Sequence, residues 1–380
     1  MNISKLAKFG VVSLVVGMIA GLAGADTNSD LQKRLAKAEA RIAELSANTN
    51  SNWLNDQRAD EIRGLVHDVL ADADSRTSML GNGSPVSVNV HGYIQTRWTY
   101  NHNATDGVDN THEFSVPRTR LILSGSVYDW NYVASGQWDD GGNFEMKDAY
   151  VDGLGFRVGQ FKAPFMKEVS KSDTNTLAVD RSVISNQFGQ GRSQGVQFSQ
   201  GLKRYARFSV AYTDGFNTAN GAGVQNGYAL TGRIDTRVKD WFGLGVAVSH
   251  NDLVTYDYNT WTADATFSAG GFDFTGAYVA TMDDVNGDDW GTVWTASYQC
   301  TDKMQGFVQY ENGHLEGVET DLSIITLGVN YEINNNIKWT TDFGKSLNSI
   351  DGGWNLGTTG WDSNAEEGEY LIRTQLQVRF

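Results

Sequence analysis

Cysteine and proline are almost missing from this sequence, which contains a single cysteine, Cys300, and three prolines. One cysteine excludes an intramolecular disulfide framework and a zinc site built on cysteine ligands. Proline cannot donate a backbone hydrogen bond to a sheet, so its scarcity permits long β-ladders. The 42 glycines suit the turns that such ladders need.

Positive charge is the minority charge, since 30 Lys and Arg residues stand against 45 Asp and Glu residues, a formal net charge of -15. Binding of DNA or RNA is therefore not expected, because phosphate recognition needs a basic face.

Long apolar runs are also missing, since no stretch of about 20 apolar residues follows Asp26. This excludes a transmembrane helix in the mature chain. A membrane protein of this kind must span as a closed β-barrel, in which every backbone polar group is paired. The overall content of 40% hydrophobic residues permits a barrel, because only alternate strand residues face lipid.

The first 25 residues have the pattern of a secretory signal peptide. Lys5 and Lys8 supply the positive start, residues 9–20 supply the apolar run, and residues 23–25 offer a small-residue cleavage site. The apolar run is short for a bilayer, so an uncleaved helical anchor is the less favoured alternative. We therefore predict an exported chain.

Residues 26–85 predict a periplasmic helical segment and a linker. Between Asp30 and Asn48, apolar residues recur at alternating spacings of four and three, which is a heptad seam formed by Leu31, Leu35, Ala38, Ile42 and Leu45. The seam favours a short self-associating coiled-coil stem. Two heptads are few, so a single amphipathic helix on another surface stays open as the alternative.

From Val86 to Phe380 the hydrophobic period changes to two, as in half-exposed strands. In the final segment one face carries Tyr370, Ile372, Leu376, Val378 and Phe380, and the other carries Arg373, Gln375, Gln377 and Arg379. About sixteen such segments occur, and an even number places both barrel termini on one side. We predict an all-β membrane protein, a closed antiparallel transmembrane β-barrel of about sixteen strands over residues 86–380.

The connections between these segments alternate in length. In an outer-membrane barrel with periplasmic termini, even-numbered connections are short turns and odd-numbered ones are longer external loops. The even ones are all short here, and of the odd ones only residues 140–143 are short. This parity favours a barrel over a soluble sandwich or propeller.

Four short motifs resemble the phosphate-selective porin family, the O and P type porins. They are PRTRL at 117–121, SGS at 124–126, MKDAYV at 146–151 and RVGQFKAPF at 157–165. The terminal Phe380 is similar to the assembly signal of outer-membrane proteins. The resemblance implies a sixteen-stranded homotrimeric channel in outer-membrane lipid, inserted by the barrel-assembly machinery, without fixing the solute.

The fifth connection, residues 162–191, is the longest and is our candidate for a constriction loop. In porins similar to this chain, a long loop folds inward and narrows the pore. Its charged candidates are Lys162, Lys167, Glu168, Lys171 and Arg181. An external loop that shields the barrel mouth is the alternative.

Strand parity predicts which charges face the lumen. Cations point inward from the first two and last two strands, at Arg97, Arg118, Arg120, Lys338, Arg373 and Arg379. Inward acids lie on strands ten to fifteen, at Asp264, Asp273, Glu311, Glu332 and Asp342. Closure would join the cations into one basic wall beside an acidic wall, a transverse field that biases ion entry. Local pairing that only stiffens the wall is the open alternative.

The predicted function is passive diffusion of small polar or anionic solutes across the bacterial outer membrane, with the stem in the periplasm. The resemblance makes phosphate a candidate solute, because its motifs give Arg118, Arg120 and Lys162, and strand parity adds Arg97, as donors that could converge on one anion. The acidic composition argues against strict selectivity. Weakly selective passage is the alternative.

Two other classes of function are alternatives to a porin. A structural protein that tethers the envelope to the cell wall through its stem is one. An outer-membrane enzyme is the other, but the six histidines show no GxSxG, HExxH or comparable grouping. The acidic runs at 283–284 and 288–289 are typical of solvated loops, with binding of Ca²⁺ or of cations that bridge lipopolysaccharide as the alternative. We therefore expect no catalytic site, cofactor or metal.

Overall fold

The described part of the chain is the barrel. The computed structural model describes Lys37 and residues 86–104, 109–202, 205–221, 227–285, 287–362 and 366–380. The predicted signal peptide, residues 1–25, lies outside the described residues, as does the predicted stem, residues 26–85, apart from Lys37. Both stay predictions.

The described residues form sixteen antiparallel strands, and the last pairs with the first to close the sheet. The strands are β1 (Val86–His102), β2 (Thr111–Val127), β3 (Trp130–Trp138), β4 (Phe144–Gly153), β5 (Phe156–Lys162), β6 (Arg192–Leu202), β7 (Ala206–Thr213), β8 (Tyr228–Lys239), β9 (Phe242–Asp252), β10 (Asp257–Ala269), β11 (Phe272–Met282), β12 (Asp289–Thr301), β13 (Met304–His314), β14 (Leu322–Asn334), β15 (Ile337–Ser346) and β16 (Tyr370–Arg379). The predicted closed barrel of sixteen strands is confirmed.

The period of two along each strand sorts side chains between the inside and the outside of the barrel. In β15 the polar Lys338, Thr340 and Asp342 are buried inside, whereas Trp339 and Phe343 are exposed outside. Apolar side chains that face outward can be solvated by lipid, and polar side chains that face inward can be solvated by water. The alternation in the sequence therefore determines the two faces.

Hydrogen bonds close the seam between the two ends of the sheet. Tyr93 lies opposite Arg379 in the β1–β16 register. Gly92 donates its N–H to the Phe380 oxygen at 2.9 Å, and the Phe380 N–H donates to the Gly92 carbonyl at 3.0 Å. The barrel therefore has no free strand edge at this seam, as a bilayer requires.

The β5–β6 connection contains the described α-helices, α1 (Lys167–Ser170) and α2 (Val183–Phe188), and a 3₁₀ turn at Asp173–Asn175. A second 3₁₀ turn, Ala219–Gly221, lies between β7 and β8. Among the residues that the structure describes, no helix has the length and apolar character to cross a bilayer.

Outward aromatic side chains form contacts near both ends of the strands. Beside the short turns, ring centroids are 4.9 Å apart for Phe156–Phe198 and 4.3 Å apart for Phe272–Tyr298. Near the opposite ends, the separations are 4.9 Å for Trp138–Phe144 and 5.0 Å for Trp261–Tyr278. Two aromatic levels of this kind are typical of barrels that span a bilayer between two interfaces.

Candidate functional site in the barrel lumen

Residues 163–191, called the inner loop below, contact the inward face of the barrel wall. The Asn330 amide of β14 donates to the Leu177 carbonyl at 3.0 Å. The Val179 N–H donates to the Asp342 carboxylate of β15 at 2.8 Å. Because Asn330 and Asp342 face inward, the inner loop crosses the lumen.

Two carboxylates stabilise helix α2 of the inner loop. Glu311 of β13 accepts a hydrogen bond from the Val183 N–H at 2.6 Å, in the first turn of the helix. Glu168 accepts hydrogen bonds from the Ser182 hydroxyl at 2.7 Å and the Ser185 hydroxyl at 2.6 Å. Carboxylates satisfy the free N–H groups of a helix start and interact favourably with its dipole. Glu311 and Glu168 are thus engaged in holding the loop.

An apolar cluster forms where the inner loop meets the wall. The loop contributes Phe165, Met166, Val183, Ile184 and Phe188; the strands contribute Val279, Val293, Leu322, Ile324 and Leu371; and the β15–β16 connection contributes Ile350, Trp354 and Trp361. Burial of this apolar surface favours the docked arrangement. Protein side chains therefore fill the lumen around this cluster.

The charged candidates of the inner loop differ in their surroundings. Lys171 has an exposed side chain. Arg181 forms an ion pair with Asp173 and donates to the Lys171 carbonyl at 2.7 Å. Lys162 and Lys167 border an open cavity that is described below.

Each of the six cations predicted to form a basic wall has a local partner. Lys338 donates to the carbonyls of Thr174 and Thr176, at 3.2 and 3.0 Å. The other five form ion pairs: Arg97–Asp180 at 3.2 Å, Arg118–Asp180 at 2.8 Å, Arg120–Asp173 at 2.9 Å, Arg373–Asp342 at 2.8 Å and Arg379–Glu332 at 3.2 Å. The inner loop supplies the carboxylates of Asp173 and Asp180, so it neutralises the nearby wall.

The two inner-loop carboxylates are ionised despite their burial. Burial alone would raise the pKa of Asp180, but Arg118 and Arg97 hold this pKa below its ordinary value. Burial likewise opposes ionisation of Asp173, and Arg181 is the first of the cations that hold its pKa well below the ordinary value. Both charges therefore persist at neutral and mildly acidic pH.

The remaining predicted acids also have partners. Asp264 of β10 lies 2.6 Å from Arg233 and 3.7 Å from Lys167. Asp273, near the turn end of β11, accepts a hydrogen bond from the Ser268 hydroxyl at 2.5 Å. Glu311, Glu332 and Asp342 have the contacts given above.

An open cavity of about 450 Å³ lies between the inner loop and strands β2 to β8. We call it the basic chamber, because its charged lining consists of seven cations and two acids: Arg120, Arg157, Lys162, Lys167, Arg192, Arg207 and Arg233, with Asp148 and Asp235. Arg120 pairs with Asp173, Arg157 with Asp152, Arg192 with Asp148, and Lys167 and Arg233 with Asp264. Lys162 and Arg207 are thus the two cations of this lining that form no ion pair with a described residue.

The cations of the basic chamber are only partly neutralised. Arg192 binds Asp148 through two hydrogen bonds of 2.9 Å. Lys162 donates to two uncharged carbonyl groups of the inner loop, at 2.7 and 2.8 Å. The side chain of Arg207, a residue of the β7 ladder, forms no ion pair or hydrogen bond with any residue that the structure describes. A small anion in the chamber could therefore find unpaired positive charge.

Arg157, Arg192, Arg207 and Arg233 were not among the residues predicted from the sequence. Parity could have found Arg207, because its neighbours in β7 alternate between apolar Phe208 and polar Ser209. The alternation along the strands does not predict which side of the lumen the inner loop leaves open. The charge of the open side was therefore not predictable from the strands alone.

A closed sixteen-stranded barrel with a loop inside its lumen is the fold of a porin. It is similar to an anion-selective porin from Comamonas acidovorans, at 13% identity and a TM-score of 0.55, over 77% of this chain and 99% of that one. It is also similar to Salmonella typhi OmpF in complex with daunomycin, at 13% identity and a TM-score of 0.59, over 77% of this chain and 97% of that one. The trimer form of Vibrio cholerae OmpT has 12% identity and a TM-score of 0.55, over 78% of this chain and 99% of that one. At such identities the likeness shows the fold.

Part of the sequence also matches a known family. Residues 88–238, from β1 to β8, match the family described as phosphate-selective porin O and P. The resemblance predicted from the four motifs is thereby confirmed, and the class that the fold and this family indicate is the outer-membrane porin. None of the curated proteins matches the chain.

Proposed function

We propose that this chain is an outer-membrane porin through which small polar solutes diffuse passively, with a preference for anions. The basic chamber is the observation that carries the preference. A barrel of about sixteen strands encloses an aqueous lumen, and fixed charges beside a narrow aqueous path bias which ions enter. The net charge of the chain matters less than the local charge along the path.

The anion preference is assigned to the chamber rather than to the predicted basic wall. Asp173, Asp180 and Asp342 neutralise most of the wall cations, whereas the chamber contains the side chains of Lys162 and Arg207, which form no ion pair with a described residue. Phosphate is a candidate solute, because Arg and Lys side chains bind its oxygens through charge-assisted hydrogen bonds. Weak preference among small anions is the alternative.

Reversal potentials in a KCl gradient across a planar bilayer test this proposal. The wild type should give stable ohmic steps and an anion-selective reversal potential, and Arg207→Gln should shift that potential toward cation selectivity. Lys345→Gln is the matched control, because Lys345 points outward from β15 and is exposed. If the double variant Arg207→Gln with Arg157→Gln keeps the wild-type anion preference, the chamber does not set that preference.

The same measurement shows whether the chamber or the predicted basic wall determines the ion selectivity. If the wall sets selectivity, replacing Arg97 and Arg118, which do not line the chamber, by alanine should reduce the anion preference more than Arg207→Gln does. A folded wild-type barrel without conductance steps would favour the alternative of a structural tether.

We further propose how the chain is exported and assembled. Residues 1–25 would be removed on export, and residues 26–85 would stay in the periplasm. The outward apolar surface fits outer-membrane lipid, and Phe380 fits recognition by the barrel-assembly machinery. A homotrimer is expected, and crosslinking of the folded protein in membranes tests the number of subunits.

A further inference from the structure

The β15–β16 connection also enters the lumen, which the sequence did not predict. Its residues 350–361 are called the strap below. Ile350 is fully buried, and Trp354 and Trp361 are 4% and 7% exposed. All three pack in the same apolar cluster as the inner loop. An external loop that only covers the mouth would not place its large apolar side chains beneath the rim.

Polar contacts bind the middle of the strap to the wall and to the inner loop at one point. The Thr358 hydroxyl donates to the Asp180 carboxylate at 2.6 Å and accepts from Arg118 at 3.0 Å. Arg97 donates to the Thr358 carbonyl at 2.6 Å. Asp180 itself pairs with both arginines. One carboxylate therefore joins the strap, the inner loop, β1 and β2.

Further contacts extend along the strap on both sides of Thr358. Arg373 of β16 donates to the Thr359 carbonyl at 2.7 Å. The Asn355 N–H donates to the Gln187 side chain of helix α2 at 2.8 Å. These contacts satisfy backbone groups of the strap inside the barrel. The buried indole N–H of Trp354 has no hydrogen-bond partner among the described residues.

We propose that the strap is a second constriction element of the pore and positions the inner loop. It fills the lumen on the β1 and β11–β16 side and leaves the basic chamber as the path for solutes. Its Thr358 fixes Asp180, so this part of the inner loop is held against β1 and β2. This inference rests on the proposed porin function for its conductance readout, but the positioning role has a readout of its own.

Single-channel conductance tests the constriction. In the variant Trp354→Ala with Trp361→Ala, the strap loses its apolar anchors, and conductance should rise about twofold, because ohmic current follows the open cross-section of a water-filled pore. Thr358→Val, which keeps the shape of the side chain, should give a smaller rise. Trp261→Ala is the matched control, since Trp261 faces outward, and it should conduct like the wild type.

Thiol labelling tests the positioning independently of conductance. Ala178 lies in the inner loop and is 4% exposed, so Ala178→Cys in a Cys300→Ser background should react slowly with a water-soluble thiosulfonate. Adding Thr358→Val, or the two tryptophan substitutions, should speed this reaction about tenfold or more, since local opening controls access. Heat-modifiable migration on gels verifies that each barrel is folded.

The outcomes separate the two proposals. A wild type without conductance contradicts the porin function, whereas the labelling rates still decide whether the strap holds the inner loop. Folded strap variants whose conductance and labelling rate equal those of the wild type overturn the strap proposal. If the double tryptophan variant does not fold, the conductance and the labelling rate of Thr358→Val alone test the strap proposal.

Discussion

At the scale of single residues, Asp180 accepts hydrogen bonds from Arg97, Arg118 and Thr358, which lie far apart in the sequence. Its side chain is 4% exposed, so water cannot replace these partners. Breaking a buried ion pair from one side leaves the other charge uncompensated, which costs more than the pair contributes. Asp180 is therefore the residue on which the docking of two lumen segments depends.

Replacing Asp180 by asparagine should lower the free energy of unfolding by about 3 kcal/mol, the cost of leaving buried arginines without their carboxylate. Urea unfolding of the refolded barrel, followed by tryptophan fluorescence, measures this loss. Asp129→Asn in the exposed β2–β3 turn is the control and should change little. An equal unfolding midpoint for both variants would show that Asp180 does not stabilise the fold.

At the scale of strands, Gly159 explains part of the RVGQF motif in β5. Its φ of 129° is a backbone conformation that L side chains rarely adopt. A side chain there would also overlap the Ala149 carbonyl of the neighbouring strand β4. The motif therefore includes a glycine because the β4–β5 pairing brings two backbones close together at this position.

The variant Gly159→Ala should destabilise the barrel by about 2 kcal/mol, as expected for a non-glycine residue in a strained conformation. Gly232→Ala in β8 is the matched control, because a side chain there meets open space and its φ needs no glycine. The denaturant midpoints of the two variants give the comparison. A loss of stability at Gly232 as large as that at Gly159 would argue against local strain.

At the scale of the whole molecule, closure depends on the last residue of the chain. Phe380 exchanges two backbone hydrogen bonds with Gly92 of β1 and places its ring against that glycine. The final residue therefore extends the seam that separates a closed barrel from an open sheet with a free edge. Free edges are not tolerated in lipid.

Deletion of Phe380 should reduce the fraction of heat-modifiable, folded barrel in cells and in refolding reactions, because the seam loses both hydrogen bonds. Phe380→Tyr keeps the backbone contacts and an aromatic ring, and it should assemble like the wild type. Quantitative gel shifts of unheated and heated samples measure both. If the deletion variant gives the same yield of folded barrel as the wild type, Phe380 is not required for assembly of the barrel.

The sequence by itself determined the barrel. Alternation with a period of two assigns each strand residue to lipid or lumen, and the parity of connection lengths orders the strands, since both are local properties of the chain. Residues such as Arg97 and Asp342 could therefore be placed on the inner face without a structure, and the motifs at 117–165 indicated the family.

Only the tertiary structure decided which inward charges are neutralised. The partners Arg118 and Asp180, or Thr358 and Asp180, are brought together by loops that fold back into the lumen, and no periodicity encodes such long-range contacts. The packing of Trp354 and Trp361 inside the barrel has the same origin. The open side of the lumen, and with it the basic chamber around Arg207, follows from where those loops are packed.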